Sequence, residues 1–508
     1  MPDSPYDYDV LVIGSGFGAA APALRLAEAG LRVTMLEKGP RFGPGDYRQT
    51  QDPKYVLRFL KGLTGEHLSL TYAEALGGGS GFYEMVSLRA PTLAFSQRDR
   101  DGRRLWPQVL SRAALDPWYA RAEAMLGVEQ IPETEVPKSG QVFSLLMRRM
   151  GFSCDRARYA VRNCRGSGFC VTGCIFGAKQ SLHLNYLPQA AALGADVVCD
   201  AEGLEIVPLD GYALEPADRA PASSRYAVRC RIGGRTGVDV EYHAATVVLG
   251  GGCVGTARLL LASRPYLRYL SPHVGGNIAF NGGLKMAVLL PHDMPDADMF
   301  VGRSHPGVMS YALLESHGAT ISTTKPLPLQ LLAAGRLRRR GSDPHRAWWG
   351  VEHADLMRQV RRRAMVVATL GLTPPVGRIA LDASGAARLS LDDDAALLAH
   401  ERPLQTLLED RLTRAGCTLL EVDPVDRAGQ VKKAPWFTSA HQVGSCRMAD
   451  SPADGVIAPD GQVFNYPGLY VADGAAIPSS LAVNTSLTIL ANAERIADGM
   501  VRRLGVVA

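Results

Sequence analysis

YDVLVIGSGFGAAAPALRLAEAGLRVTMLEKG, residues 8–39, is the stretch from which the fold is read. Tyr8–Ile13 forms an apolar strand that runs straight into Gly14-Ser15-Gly16-Phe17-Gly18-Ala19. Gly14 allows a tight turn, Gly16 lets backbone amides approach a pyrophosphate, and Ala19 keeps the following helix close to the strand. That helix, over 20–29, aims its N-terminal amides at the phosphates. Gly30 ends it, and a second strand over 31–36 closes on Glu37, 23 residues after Gly14, where an acid binds ribose hydroxyls. Strand, glycines, helix, strand and acid in register specify a Rossmann-like dinucleotide unit. Its binding residues are Gly14, Gly16, Phe17, Gly18, Ala19, Glu37 and Lys38. Pro22 is expected in the first helical turn, where its missing N–H is tolerated.

The far end of the chain carries a second signal. His441 lies in a polar, glycine-bearing segment, and Asn484 follows 43 residues later inside an apolar run. Between them GLYVADGAA reads as a short buried strand, Leu469–Ala472, ending at Asp473-Gly474. The end of such a strand is where an open α/β sheet presents a ligand site. A histidine can take a proton near neutral pH and an asparagine can hold an oxygen, which together suit oxidation of an alcohol. Gly77, Gly78 and Gly79, after Leu76, suit a close backbone approach to a ligand.

Together the two ends resemble the glucose–methanol–choline (GMC) family of FAD-dependent oxidoreductases, in its cholesterol-oxidase-like branch. VIGSGFGAAAPALRLAEAG with LEKG is similar to that branch's FAD signature. Leu76-Gly77-Gly78-Gly79-Ser80 resembles its second flavin-contacting turn. Trp106-Pro107 with LDPWYARAEAMLGV resembles the helix that enters the substrate domain. Val247–Ser263 resembles the strand, turn and helix that return to the flavin domain. The resemblance implies hydride transfer from the CH–OH group of a fairly hydrophobic or bulky alcohol to flavin N5, with His441 as the catalytic histidine and Asn484 as its partner. It further implies non-covalent FAD held by the residues above with Gly77, Gly78, Gly79, Ser80, Asp473, Gly474 and Thr485. No histidine closely follows Gly77–Ser80 to carry a covalent link. Asn281 stands where many relatives carry a histidine. The region comparable to the isomerase glutamate of cholesterol oxidases is Arg361-Arg362-Arg363-Ala364, without an acid. The family also holds a hydroxynitrile lyase and a light-driven decarboxylase, so a non-redox reading stays open beside the oxidase or dehydrogenase one.

The implied architecture is a discontinuous α/β flavin-binding domain, Rossmann-like, over 1–100, 176–269 and 432–508. An α+β substrate domain with an antiparallel sheet takes 101–175 and 270–431. Met365–Asp382 reads as a long apolar strand, a Pro-Pro turn and a second strand, forming the sheet roof over the flavin ring. At 508 residues with 46% hydrophobic content, the chain has core enough for two lobes. A net charge of +5 is small for this length and argues against nucleic acid as a partner. Nine cysteines, without an export signal or an apolar span, point to the cytoplasm and free thiols.

Two segments leave alternatives open. Cys164, Cys170 and Cys174 are spaced C-x5-C-x3-C in a glycine-bearing loop. The loop resembles the three-iron, four-sulfur cluster loop of certain bacterial glucose dehydrogenases in this family, which would pass electrons to a partner protein. A packed thiol cluster without metal is the competing reading. The second segment, 327–363, combines nine arginines with Trp348-Trp349. It suits a lid resting on an anionic lipid surface, a docking face for an electron-transfer partner, or amphipathic helices packed on the lobe. His345 and His353 within it read as surface residues.

Overall fold

The structure, a computed structural model, describes residues 8–50, 52–209, 226–325, 336–343, 350–423 and 437–505. The elements that position the site are, in chain order, strand β1 (Tyr8–Ile13), helix α1 (Phe17–Glu28), β2 (Val33–Leu36), β3 (Val238–Leu249), helix α2 (Gly252–Ala262), β4 (Lys285–Leu289), β5 (Ala319–Thr323), β6 (Ala364–Gly371), β7 (Leu469–Val471) and helix α3 (Ser486–Arg503).

β1 is central because it is apolar on both faces, with Val10, Leu11 and Val12 fully buried. It pairs in parallel with β2, Val10 beside Val33, and with the second half of β3, Val10 beside Thr246. A strand at Asp196–Val198 extends the layer beyond β2, and β7 lies parallel to the end of β3. The first half of β3 turns antiparallel to Tyr226–Ile232, which in turn pairs with Ala201–Pro208. The result is a seven-stranded mixed sheet. Its parallel strands all end on one edge, where Gly14, Glu37, Gly250 and Asp473 follow.

α1 packs along α3, so the first helix and the last share one core. A buried ion pair fixes the contact: Arg25 Nη2 lies 2.8 Å from Glu494 Oε1, and Tyr186 Oη donates to the same oxygen at 2.7 Å. Pro22 corrects the sequence expectation. It is the sixth residue of α1, in the second turn, and forgoes the hydrogen bond to the Gly18 carbonyl. Among the described residues no helix is long and apolar enough to cross a membrane.

A second seven-stranded sheet is antiparallel throughout and has β4, β6 and β5 at its middle. Strand alternation gives it two faces. Met286, Val288, Met365, Val367, Ala319 and Ile321 are buried in the core. The opposite face carries Lys285, Val366, Ala368, Leu370, Thr320 and Ser322. Thr320 Oγ1 donates to the Ala482 carbonyl at 2.6 Å, so this face looks toward the loop before α3. Both strands expected over Met365–Asp382 are present, but they belong to different sheets. β6 is a middle strand of this sheet, whereas Gly377–Leu381 pairs with Ala387–Leu391 in a separate two-stranded sheet. The Pro374-Pro375 turn therefore leaves the sheet.

Of the arginine-rich segment, a strand at Arg336–Arg339 and a helix at Val351–Arg363 are described. Leu356 and Val360 of that helix bury against Leu289, Leu337 and Leu420. His345, Trp348 and Trp349 lie outside the described residues.

Truncating Glu494 to alanine leaves Arg25 buried without its main partner. The expected loss is about 3–5 kcal/mol of unfolding free energy, read as a lower denaturant midpoint at unchanged slope.

Candidate active site

The nucleotide end is built from turns that touch with no space for side chains. Gly14 has φ +98°, and a Cβ there would lie 2.4 Å from the Gly250 oxygen, so β1 and β3 end in direct backbone contact. A Cβ on Gly18 would lie 2.3 Å from Asp473 Cα, which brings α1 against the end of β7. Gly77 and Gly78 have φ +84° and +53°, and Gly78 packs on Gly16 Cα. The two glycine turns are also linked through side chains. Gly77 N donates to Ser15 Oγ at 2.9 Å, and Ser15 Oγ donates to Glu37 Oε2 at 2.5 Å. Glu37 Oε1 accepts from Gly39 N at 2.7 Å. Burial pushes the Glu37 carboxyl up to about 7, against the pull of the Ser15 and Gly39 hydrogen bonds. Helix α1 starts at Gly16 with no side-chain cap, so its first amides are offered to a ligand.

These features fit FAD. Gly14, Gly16, Phe17, Gly18 and Ala19 would lie along its pyrophosphate, Glu37 at its ribose, and Gly77–Gly79 on the other side. Other residues assigned from sequence have different partners. Lys38 Nζ turns to Glu74 at 2.8 Å and Glu202 at 3.4 Å; burial opposes its charge, but the two carboxylates hold its pKa up. Ser80 Oγ donates to the Gly77 carbonyl at 2.6 Å and accepts from Leu182 N, holding the turn itself. Asp473 accepts from Gly252 N at 2.7 Å, Thr256 Oγ1 at 2.5 Å and Ala475 N at 2.8 Å. It thereby fixes the start of α2, and burial raises its pKa to about 6. Thr485 is the buried residue that opens α3, and Gly474 packs on Ile489 of that helix.

Away from the nucleotide turns, Asn484 Nδ2 lies 3.2 Å from His441 Nε2. The sequence pairing is therefore a contact in space. His441 follows the short strand Phe437–Ser439, and Ser439 Oγ accepts from its backbone N at 3.0 Å. Asn484 is aimed by Asn281. The buried Asn281 Oδ1 accepts from Leu481 N and Ala482 N at 2.7 and 2.8 Å, while its Nδ2 donates to the Val483 carbonyl at 2.7 Å. Burial, helped by the charge of Lys285, lowers the His441 pKa to about 4, so the ring is neutral near pH 7.

Three polar residues around this sheet were missed from sequence, and one of them, Lys285, acts on His441. Lys285 Nζ donates to Thr438 Oγ1 at 3.0 Å, three residues before His441. Thr324 Oγ1 approaches both oxygens of Glu84, at 3.1 and 3.3 Å. Each charged one stands in an apolar stretch, Phe82–Val86 or Lys285–Leu290, and that placement was the available signal.

The cysteines are only partly gathered. Cys164, Cys170 and Cys174 line one shallow depression, but among the described residues no three His, Cys, Asp or Glu side chains group as a metal site. The buried Lys179 fixes this loop to the second glycine turn. Its Nζ donates to the carbonyls of Cys170 and Gly81, both at 2.6 Å, and of Tyr83 at 3.2 Å. A histidine does reach that turn, from elsewhere in the chain. A Cβ on Gly77 would lie 3.5 Å from His183 Nδ1, and neither ring nitrogen of His183 has a partner among the described residues.

The family described as GMC oxidoreductase is matched twice, over residues 8–279 and 386–493. A cholesterol oxidase of Mycobacterium tuberculosis is 27% identical, across 97% of this chain and 91% of that protein. A 2-methyl-1,2-propanediol dehydrogenase of Mycolicibacterium austroafricanum is 25% identical, across 99% of this chain and 97% of that protein. The solved structure of an FAD-dependent oxidoreductase from Chaetomium thermophilum superposes with a TM-score of 0.67 at 14% identity, covering 99% of this chain and 100% of the other. That likeness is one of fold.

Replacing Gly18 by alanine forces α1 away from Asp473. The expected result is a loss of about 1–3 kcal/mol in stability, together with flavin-poor protein, read from unfolding curves and the flavin-to-protein absorbance ratio.

Proposed function

The chain belongs to the GMC oxidoreductase family, and from that premise we propose that it oxidises an alcohol at a CH–OH carbon, with His441 as base and Asn484 as its partner. The observation that carries this reading is the 3.2 Å approach of Asn484 Nδ2 to His441 Nε2. One hydroxyl oxygen seated against both atoms can give its proton to the ring while accepting from the amide. Bound FAD supplies the acceptor for the hydride from the same carbon. As the O–H proton passes to His441 Nε2, the C–O bond becomes a carbonyl, and Asn484 Nδ2 holds the oxygen throughout.

A base must be unprotonated before the substrate arrives, and the lowered pKa of His441 keeps it so. Asn281 and Thr320 act as positioning residues, because they hold the 481–483 backbone that aims Asn484. In this reading FAD is held non-covalently by the two glycine turns and Glu37. The flavin-binding part comprises 1–100, 176–269 and 432–508, and the remainder forms the substrate part. The two relatives act, by their names, on a sterol and on a small diol, so the substrate has to be read from the pocket.

His441→Ala is expected to retain flavin but slow its anaerobic reduction by an alcohol about 10²–10⁴-fold; unchanged reduction would remove His441 from the chemistry. The reduction rate should stay level from pH 8 down to about pH 5, then fall as pH approaches the His441 pKa of about 4. A histidine at its ordinary value would lose activity below about pH 6.5, and stopped-flow traces across this range separate the two.

A further inference from the structure

Glu84 and Lys285 have no part in the proton and hydride chemistry, yet Lys285 lies on the sheet face that looks toward the loop carrying Asn484, and Glu84 bonds to Thr324 just after β5 of that sheet. Lys285 and Ser322 are each paired with Ala368 of β6, so all three share one row and one face of the sheet. Thr320, two residues before Ser322, binds the Ala482 carbonyl beside Asn484. Thr324, two residues after Ser322, binds the carboxylate of Glu84, which rises from the segment after the second glycine turn. On the other side of the row, Lys285 reaches Thr438, next to the His441 strand.

Neither Glu84 nor Lys285 takes part in an ion pair among the described residues, although Lys285 acts electrostatically on both Glu84 and His441. Glu84 and His441 are half-buried and Lys285 is exposed, yet burial is the largest influence on all three. Burial raises the Glu84 pKa against the Thr324 hydrogen bond and the charges of Lys285, Lys179 and Lys325; it lowers that of Lys285.

A wholly apolar substrate would strip water from this acceptor and this donor and return no hydrogen bond, which is unfavourable for each group. A hydroxyl can donate to the carboxylate and accept from the ammonium. We propose that Glu84 and Lys285 form a second polar anchor beside the His441–Asn484 pair, so that the alcohol oxidised carries another hydroxyl: a diol or polyol rather than a monohydric sterol or fatty alcohol. The apolar Val366, Ala368 and Leu370 on the same face would cover the carbon skeleton between the two hydroxyls. This rests on the alcohol-oxidising reading above.

The test uses the flavin-loaded full chain under anaerobic conditions. Flavin reduction is followed with hexanol, with hexane diols of increasing hydroxyl spacing, and with cholesterol in detergent. The expected result is that the diol of best spacing reduces the flavin at least about 100-fold more efficiently than hexanol. Glu84→Gln and Lys285→Met should each cut that diol-to-hexanol ratio about tenfold or more. Binding gives a readout free of turnover. The ditertiary analogue of that best-spaced diol, which has no carbinol hydrogen, should perturb the flavin spectrum at lower concentration than its tertiary monoalcohol counterpart, and both variants should erase the difference. If hexanol or cholesterol matches every diol, or both variants leave the ratio unmoved, the anchor is overturned while alcohol oxidation stands. If no alcohol reduces the flavin, the underlying reading fails and the anchor with it. Each variant keeps nearly the size of the original side chain, and should one fail to fold, the wild-type ratio and the other variant decide.

Discussion

The close approach of bare backbone at the ends of β1, β3 and β7 is the constraint on which the rest depends. Gly14 rests on Gly250 and Gly18 on Asp473 at distances that no side chain would permit. Three segments distant in sequence are thereby brought to one sheet edge. The start of α1, the carboxyl of Glu37 and the His441–Asn484 pair can then lie in one continuous site. The Arg25–Glu494 pair acts on the same assembly from behind the sheet, tying the first helix to the last.

Buried polarity in this chain is of two kinds. Asp473, Ser80, Lys179 and Asn281 spend their donors and acceptors on backbone groups, and their work is to fix turns. His441, Asn484, Glu84 and Lys285 make few internal bonds and keep capacity for something outside the chain. The distinction matters because an internally satisfied group already has its desolvation compensated, whereas an under-bonded one is compensated only when a ligand arrives.

The same distinction shows in residues that the motifs singled out. Lys38 lies within the nucleotide signature, and its ammonium is paired with two carboxylates from other segments, Glu74 and Glu202. The cysteine spacing brings three thiols to one depression, but Lys179 pulls the loop toward the second glycine turn, and the thiols do not converge as a metal site. Pro22 sits in the second turn of α1, where one lost hydrogen bond is outweighed by the burial of Gly18 through Ala27 between sheet and α3.

By itself the sequence determined the parts set by local pattern. These are the strand–glycine–helix–strand unit with Glu37, the short strand ending at Asp473, and the identity of His441 and Asn484 as reactive types in polar and apolar surroundings. Turn sterics, strand burial and side-chain chemistry act over a few residues, and so they can be read along the chain. Tertiary structure alone decided that Asn281 aims Asn484, that β6 and Gly377–Leu381 belong to different sheets, and that Thr324 meets Glu84 while Lys285 acts on His441. These are contacts between residues far apart in the chain. Their geometry follows from sheet register and from how two sheets close over one another, which no local spacing encodes.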